Sequence, residues 1–155
     1  MIYLDTSLLV AALGNEAATE AVQRWLGQQP AGSLAISEWT VTEFSSAMAM
    51  KLRPGQIQPE HRAECMAEFA HLREASLHVL AIAREHFHAA AEYTGRHETG
   101  LRAGDALHLA VCAHHGLRLA TLDNTFHHAA TTIGIACLEI LPAQDTASRR
   151  DTCKP

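Results

Sequence analysis

The sequence lacks the features that mark membrane proteins, zinc-finger proteins and secreted proteins. Only 5% of its 155 residues are aromatic, and no apolar run approaches the roughly 18 residues that a membrane-spanning helix needs. Its four cysteines form neither a C-x-x-C pair nor a zinc-finger spacing with histidine, which predicts free thiols in a reducing compartment. The apolar start lacks the basic residues of a signal peptide and is interrupted by Asp5. We therefore expect a cytoplasmic protein with no membrane association.

The sequence also lacks an excess of basic residues. Twelve Lys and Arg residues stand against seventeen Asp and Glu residues, which gives a formal net charge of -5 at pH 7. This balance excludes a protein that coats nucleic acid by charge alone, although it allows an enzyme that contacts nucleic acid locally. No glycine-rich phosphate loop is present, so a nucleotide site of the P-loop or Rossmann kind has no support.

Short apolar segments alternate with helical periodicity along the whole chain. The segments predict five strands, at about residues 2–4, 33–36, 77–80, 117–120 and 136–140. Between the first two strands a helix is predicted from about Glu16 to Gln28, and Ser37 is the predicted N-cap of the helix that follows the second strand. Strands that alternate with helices indicate an α/β fold with a mainly parallel sheet. The length fits one domain, which we place at residues 1–142, followed by a polar C-terminal tail at 143–155.

Four acidic residues beside apolar segments are the candidate functional groups. Asp5 follows the first predicted strand directly, and Asp123 follows the fourth after a two-residue gap. Asp105 opens a predicted helix, and Glu43 lies in the first two turns of another. If the first and fourth strands are neighbours, Asp5 and Asp123 meet at one edge of the sheet. Taken singly, each acid also fits a helix cap or a solvated helix position.

A cluster of carboxylates has a chemical consequence. Several carboxylates within a few ångströms do not all stay ionised unless a cation binds, since otherwise their pKa values rise. Oxygen ligands favour the hard cations Mg²⁺ and Mn²⁺. Such an ion activates water and offsets the charge of a phosphodiester during its hydrolysis. The acidic residues therefore predict metal-dependent chemistry on a phosphate ester.

These segments resemble those of the PIN-domain ribonucleases, specifically the VapC-type toxins of type II toxin–antitoxin systems. The resemblance is carried by IYLDTSLLVAAL, SEWTVTEFSSAM, LRAGDALHLAVCAHHGLRLATLDNTF and the closing strand, and it extends to about Pro142. The four acids of the family match Asp5, Glu43, Asp105 and Asp123. Three further polar or basic positions of the family match Thr6, Thr121 and Arg102.

The resemblance implies a fold, an activity and partners. The fold would be a three-layer sandwich with a parallel five-stranded sheet in the order 3-2-1-4-5 and helices on both faces. The activity would be Mg²⁺-dependent RNA hydrolysis that leaves a 3′-hydroxyl and a 5′-phosphate, with Mn²⁺ as a possible substitute. Asp5, Asp105 and Asp123 would ligate the metal, and Glu43 would ligate it or hold the attacking water. The expected partners are an RNA substrate, a cognate antitoxin protein and a second copy of the chain.

Other functions remain open at this point. One alternative is a catalytically silent PIN scaffold that binds RNA or protein, and another is an RNA-processing or DNA nuclease of the same fold. A phosphoaspartate enzyme with Asp5 as its nucleophile is disfavoured, because Ser7 stands where such phosphatases carry a second aspartate.

Two further expectations concern histidines and a docking surface. His108 lies one helical turn after Asp105, and we interpret it as a packed residue, with a hydrogen bond to an acid as the alternative. We interpret a second group of histidines as surface residues that retain some capacity to bind zinc or nickel, because adjacent side chains on a helix point apart: His114-His115 and His127-His128, with His86 and His88. The apolar helices between Glu16 and Phe69, including Trp25 and Phe69 themselves, are expected to form the antitoxin groove or the dimer surface.

Overall fold

The computed structural model describes residues 1–140, so the predicted tail and the predicted domain end at residue 142 lie outside the described residues. The strands are β1 (Ile2–Leu4), β2 (Leu34–Ser37), β3 (Leu77–Leu80), β4 (Arg118–Ala120) and β5 (Cys137–Leu138). The α-helices are α1 (Thr6–Leu13), α2 (Thr19–Gly27), α3 (Glu38–Leu52), α4 (Pro59–Ser76), α5 (Arg84–Thr94), α6 (Ala103–His114) and α7 (Asn124–Ile133). Within residues 1–140, every helix is too short or too polar to cross a membrane.

The five strands form one parallel sheet in the order β3-β2-β1-β4-β5. Ile2 of β1 pairs with Leu34 on one side and with Arg118 on the other. The predicted α/β class and the strand order 3-2-1-4-5 are thus confirmed. The order reverses between β1 and β4, and in parallel sheets ligands bind at the carboxyl ends of the strands beside such a reversal.

The central strand β1 contributes side chains to a core on each face of the sheet. Ile2 and Leu4 pack with side chains of α1, α3 and α4 in one core, whereas Tyr3 packs with side chains of α6 and α7 in another. Successive side chains of a strand point to opposite faces. A strand covered by helices on both faces therefore consists of apolar residues throughout.

Local capping explains where several helices begin. Asp5 is the N-cap of α1 and accepts hydrogen bonds from the backbone N–H groups of Thr6 and Ser7. Ser37 is the N-cap of α3, as predicted from the sequence. Helix α2 begins at Thr19 rather than near residue 16, because the Thr19 hydroxyl accepts a hydrogen bond from the Glu16 amide and closes a turn there.

The predicted docking surface needs one correction. Phe69 is only 2% exposed, and its ring packs against that of Phe44 with a centroid distance of 4.3 Å. It therefore joins α4 to α3 in the core, and the expectation that it faces a partner was wrong. Trp25 is partly buried against the same core. The period of an amphipathic helix identifies its apolar face but does not say whether that face meets the chain's own core or a partner.

Candidate active site

A cleft of about 310 Å³ lies at the carboxyl edge of the sheet, beside the reversal in strand order. Strands β1 and β4 are neighbours, so Asp5 and Asp123 meet in this cleft as expected. Glu43 reaches it from α3 and Asp105 from α6. All four predicted acids line its walls: Asp5, Glu43, Asp105 and Asp123.

Asp5 is buried and tightly held. Its Oδ1 accepts a hydrogen bond of 2.7 Å from the Thr6 amide. Its Oδ2 accepts from the hydroxyls of Ser7, at 2.7 Å, and Thr121, at 2.9 Å. From the sequence, Asp5 was either a helix cap or a residue of the site. In the structure it is both, because it caps α1 and also lines the cleft. These bonds fix the carboxylate in a single orientation.

Glu43 is held at one of its two carboxylate oxygens. Its Oε2 accepts hydrogen bonds from the Thr6 hydroxyl, at 2.7 Å, and from Nε2 of His108, at 2.6 Å. Burial raises the pKa of Glu43, but the hydrogen bond and charge of His108 and the bond from Thr6 outweigh it, so the pKa lies below its usual value. The glutamate is therefore ionised at neutral pH.

His108 is fully buried and links the cleft to the core. Because an ionised Glu43 only accepts, Nε2 of His108 carries the proton and donates. Nδ1 of His108 lies 2.7 Å from the Tyr3 hydroxyl, which in turn lies 2.7 Å from the Ser37 hydroxyl. Burial raises the pKa of Tyr3, which keeps its phenol protonated. His108 is thus both packed and bonded to an acid, so the two interpretations of it hold together.

Asp105 lies across the cleft from these hydrogen-bonded side chains and has few hydrogen bonds of its own. Among the described residues no side chain donates a hydrogen bond to it, in contrast to Asp5 and Glu43. Burial is the main cause that raises the pKa of Asp105, and the charges of Asp5 and Glu43 add to it, against partial compensation from the Arg102 backbone and His108. Negative charge is therefore only partly compensated here. We call Asp5, Glu43 and His108 the bonded wall, and Asp105 and Asp123 the open wall.

Asp123 is exposed and caps a helix. Its Oδ1 accepts hydrogen bonds from the backbone N–H groups of Thr125 and Phe126, at 2.8 and 3.0 Å, at the start of α7. The hydroxyl of Thr121 donates to Asp5 and accepts from the Asp123 amide at 3.0 Å. Thr121 thereby ties the two aspartates, and the two strands that carry them, to each other.

Gly104 in α6 provides the space that Glu43 occupies. A Cβ atom at this glycine would lie 2.7 Å from Oε1 of Glu43 and 3.3 Å from Nε1 of Trp39. No carbon atom fits at 2.7 Å without displacing its neighbour. The absence of a side chain at Gly104 therefore lets α6 approach α3 closely enough to bring Asp105 opposite Glu43.

Arg102 lies at the outer side of the open wall. It is the exposed N-cap residue of α6, and it lines a second cavity of about 290 Å³ together with Asp105 and Asp123. A guanidinium beside two carboxylates is placed to contact a phosphate that approaches the acids.

The donor set fits a hard divalent cation. The four acids offer carboxylate oxygens, the ligands that Mg²⁺ and Mn²⁺ prefer. Burial, with a smaller effect of the charges of Asp5 and Glu43, raises the pKa of Asp105, and a bound cation would offset both causes. Among the described residues, one oxygen or nitrogen each of Asp5, Glu43 and His108 lies within 4.8 Å of the others.

Several residues of the site were not identified from the sequence. Ser7 donates a hydrogen bond to Asp5, Tyr3 contacts His108, and Trp39 lies beside Glu43, but sequence reasoning assigned none of the three to the site. Ser7 carried a detectable signal, because a serine two residues after an N-cap aspartate can donate to that aspartate. Tyr3 and Trp39 carried none, since their partners lie on distant segments.

Comparison with known proteins identifies the family. The model of the PIN domain family matches residues 2–131. The chain belongs to the PIN domain family. No curated protein sequence matches this PIN domain.

Several solved structures share its fold. Mycobacterium tuberculosis VapC20, a sarcin–ricin loop cleaving toxin, is 20% identical with a TM-score of 0.68, over 83% of this chain and 95% of that one. FitAcB from Neisseria gonorrhoeae is 23% identical with a TM-score of 0.65, over 90% and 98%. VapBC-1 from nontypeable Haemophilus influenzae is 14% identical with a TM-score of 0.65, also over 90% and 98%. At these identities the likeness shows the fold.

Proposed function

We propose that this PIN domain is a divalent-metal-dependent endoribonuclease and the toxin of a toxin–antitoxin pair. The observation that carries the proposal is the convergence of four carboxylates, from β1, α3, α6 and the end of β4, on one cleft. Hydrolysis of a phosphodiester needs an activated water molecule and compensation of the phosphate charge. An acidic cleft supplies neither unless it also holds a cation, which is why the proposal includes the metal.

Three of the acids would act as metal ligands, and the fourth would join them or position the water molecule that attacks the phosphate. Asp5, Asp105 and Asp123 would hold Mg²⁺, or Mn²⁺ as a substitute, and Glu43 would join them or position the attacking water. When bound, the ion would supply Lewis-acid activation of water and neutralise charge on the phosphate. The bonds from Thr6 and His108 occupy Oε2 of Glu43, and Oε1 lies beside Gly104 of α6.

The chain's own groups would orient the reaction. Ionised Glu43 would accept a proton from the water whose oxygen adds to phosphorus, while the bond to the 3′-oxygen breaks. Solvent would protonate that oxygen, which leaves a 3′-hydroxyl and a 5′-phosphate. Arg102 would contact the RNA backbone beside the open wall. Asp5 would keep its position through its four hydrogen bonds, so little reorganisation accompanies the reaction.

The proposal extends to the partners and the compartment. Solved proteins of this fold include VapBC-1 and a toxin–antitoxin complex from Klebsiella pneumoniae, which supports an antitoxin partner for this chain as well. Met50, which is 62% exposed, lines the cleft and offers an apolar contact at its rim. We further propose that the chain forms a homodimer and acts in the cytoplasm, where its RNA substrate would be present.

Cleavage of RNA by the purified chain tests the activity. Total cellular RNA is incubated with the protein in Mg²⁺, in Mn²⁺ and in EDTA, and the products are mapped at both ends. We expect metal-dependent cuts at a few sites, with 3′-hydroxyl and 5′-phosphate ends. End mapping would also identify the RNA.

Two variants make this experiment specific. Asp5→Asn keeps the size of the side chain and its capping oxygen but removes the charge, and we expect it to be inactive. Glu92→Gln removes an exposed acid on α5 and should cleave like the parent chain. RNA binding without cleavage in any metal would favour the silent binding module, and cleavage of DNA in preference to RNA would favour the DNA nuclease.

A further inference from the structure

A group of three histidines lies away from the acidic cleft. His86 belongs to α5, and His114 and His115 lie at the C-terminal end of α6. The ring centroid of His114 is 4.7 Å from that of His86 and 4.9 Å from that of His115. One ring nitrogen from each of the three lies within 4.8 Å of the others. We call these residues the histidine cluster.

The end of α6 explains why His114 and His115 do not point apart. Adjacent side chains diverge only while both residues are helical. The helix ends at His114, and His115 has φ -92° and ψ 2° as its C-cap residue. Gly116 follows with φ +61° and turns the chain. Both rings are exposed, as the sequence predicted, but the inference that they diverge was wrong.

His86 brings a buried nitrogen to the cluster. The side chain is only 3% exposed, so the interpretation of His86 as a surface residue was wrong. Its Nδ1 accepts a hydrogen bond of 2.9 Å from the Ala83 amide at the start of α5. Its Nε2 is buried and has no hydrogen-bond partner among the described residues. A buried polar atom with no partner is costly, and a ligand at Nε2 would displace no hydrogen bond of that atom.

We propose that His86, His114 and His115 form a binding site for a divalent transition-metal ion of the Zn²⁺ class. Three imidazole nitrogens suit Zn²⁺, Co²⁺, Ni²⁺ or Cu²⁺ and do not suit Mg²⁺. The two exposed rings give an ion access from solvent, and water completes the coordination. The bound ion ties the start of α5 to the end of α6.

The protonation state of His86 agrees with a role as a metal ligand. Burial is the main cause that lowers the pKa of His86, with further lowering by His114 and His115 against an opposing effect of Glu85. His86 is therefore neutral at physiological pH, and a neutral imidazole is the form that binds metals.

Binding at His86 requires a proton to move within the ring. In the free protein Nδ1 accepts from Ala83, so the neutral ring carries its proton on Nε2. When the ion takes the lone pair of Nε2, the ring is protonated at Nδ1 instead and stays neutral. The Ala83 amide then loses its acceptor. We therefore expect weaker affinity than that of a dedicated structural zinc site, and faster hydrogen exchange of the Ala83 amide when the ion is bound.

The histidine cluster is distinct from the acidic cleft. Asp105 is near the start of α6 and His114 is at its end. Nine residues of helix place the two about 14 Å apart along the axis. The two sites would also select different ions, because one offers oxygen ligands and the other offers nitrogen ligands.

Titration with Co²⁺ tests the site, because tetrahedral Co²⁺ with nitrogen ligands absorbs visible light. The untagged full chain is titrated in metal-free buffer, and Zn²⁺ is then added as a competitor. We expect the visible absorption to saturate at one tetrahedral Co²⁺ per chain and to be lost when Zn²⁺ displaces it, whereas Co²⁺ held by the oxygen ligands of the acidic cleft absorbs only weakly. The double variant His114→Ala/His115→Ala should bind more than about 100-fold more weakly, since loss of even an outer-shell partner costs about 10–100-fold. His86→Phe, which keeps a ring but no nitrogen, should lose at least about tenfold.

Matched controls separate this site from others on the chain. His127→Ala/His128→Ala removes an adjacent pair on α7 that no third ligand joins among the described residues, and it should bind like the parent. Asp5→Asn should also retain the signal. Equal loss in both double variants, parent-like binding by folded His86→Phe, or loss of the signal in Asp5→Asn would each overturn the proposal. If His86→Phe does not fold, the exposed single variant His114→Ala takes its place with the same criterion.

Discussion

On the bonded wall of the cleft, the carboxylates of Asp5 and Glu43 receive hydrogen bonds from amide, hydroxyl and imidazole donors. On the open wall, Asp105 receives none from a side chain among the described residues, and Asp123 uses one oxygen to cap α7. Burial raises the pKa of Asp105, whereas the donors around Glu43 lower its pKa. The ionised form of a carboxyl group is thus stabilised on one side of the cleft and destabilised on the other.

A metal site needs ligands that are held in position, and it also needs negative charge that the cation can compensate. The two walls of the cleft meet these two requirements separately. Ligands held by hydrogen bonds are already oriented before an ion arrives, which lowers the cost of binding and reaction. Ligands with uncompensated charge gain most when a cation binds, because the cation relieves both burial and repulsion. The bonded wall therefore contributes to the stability of the free protein, whereas Asp105 on the open wall detracts from it. Activity should depend on both walls, whereas stability should distinguish them.

The largest expected effect is on catalysis, and it should be the same for both walls. Asp5→Asn and Asp105→Asn should each lower the rate of RNA cleavage by at least about 100-fold, because each removes a charge from the proposed metal ligands. The measurement is the initial rate on one mapped RNA site at saturating Mg²⁺. Full activity in either variant would remove that acid from the proposed ligand set.

The second effect tests the support that His108 gives the bonded wall. His108→Leu keeps an apolar side chain in the core but removes the bonds to Tyr3 and Glu43. We expect the free energy of unfolding to fall by about 2–4 kcal/mol, measured by urea denaturation.

The matched control for that measurement is His97→Leu, whose side chain is almost fully exposed. It should leave the urea midpoint unchanged. A parent-like midpoint for His108→Leu would show that the bonds of His108 do not stabilise the bonded wall.

The third effect concerns the space between the walls. Gly104→Ala places a carbon 2.7 Å from Oε1 of Glu43, and the bonds to Thr6 and His108 restrain that carboxylate from moving aside. We expect cleavage to fall about tenfold, equivalent to about 1.4 kcal/mol, while the chain remains folded by circular dichroism.

Gly27→Ala is the corresponding control, because nothing lies within 4 Å of the Cβ it would add at the end of α2. It should retain full activity and gain up to about 1 kcal/mol in stability. Equal activities of the two variants would mean that Glu43 relaxes freely at Gly104.

The smallest effect is a gain of stability on the open wall. Because the folded protein raises the pKa of Asp105, its stability falls as the pH increases through the range between the unfolded and folded pKa values. Asp105→Asn has no such loss, so in EDTA at neutral pH it should be more stable by up to about 1 kcal/mol. Thermal unfolding at several pH values measures this difference.

The sign of the pH dependence is the critical observation. The advantage of Asp105→Asn should be present at neutral pH and disappear at acidic pH, where the parent carboxyl is protonated in both states. Added Mg²⁺ should reverse the order, since only the parent gains the cation. A variant that is less stable than the parent in EDTA would show that Asp105 is compensated in the free protein.

The sequence alone determined the secondary-structure alternation and the positions of the acids. Strand β1 is apolar on both faces, and Asp5 follows it directly, so a buried central strand and a carboxylate at its end were both predictable. The observed start of α2 differs from the predicted one because the Thr19 hydroxyl accepts a hydrogen bond from the Glu16 amide and closes a turn before the helix. The strand order came from the family resemblance and was confirmed by the sheet.

Only the tertiary structure decided which side chains support the acids and which histidines meet. His108 reaches Glu43 across 65 positions of sequence, and Thr121 reaches Asp5 across 116. No local period or spacing encodes such contacts, because they depend on how helices pack over the sheet. Likewise, His86 meets His114 and His115 because α5 lies against α6 and α6 ends at His114. The sequence fixes the chemistry of each side chain, and packing determines its neighbours and therefore its pKa and its use.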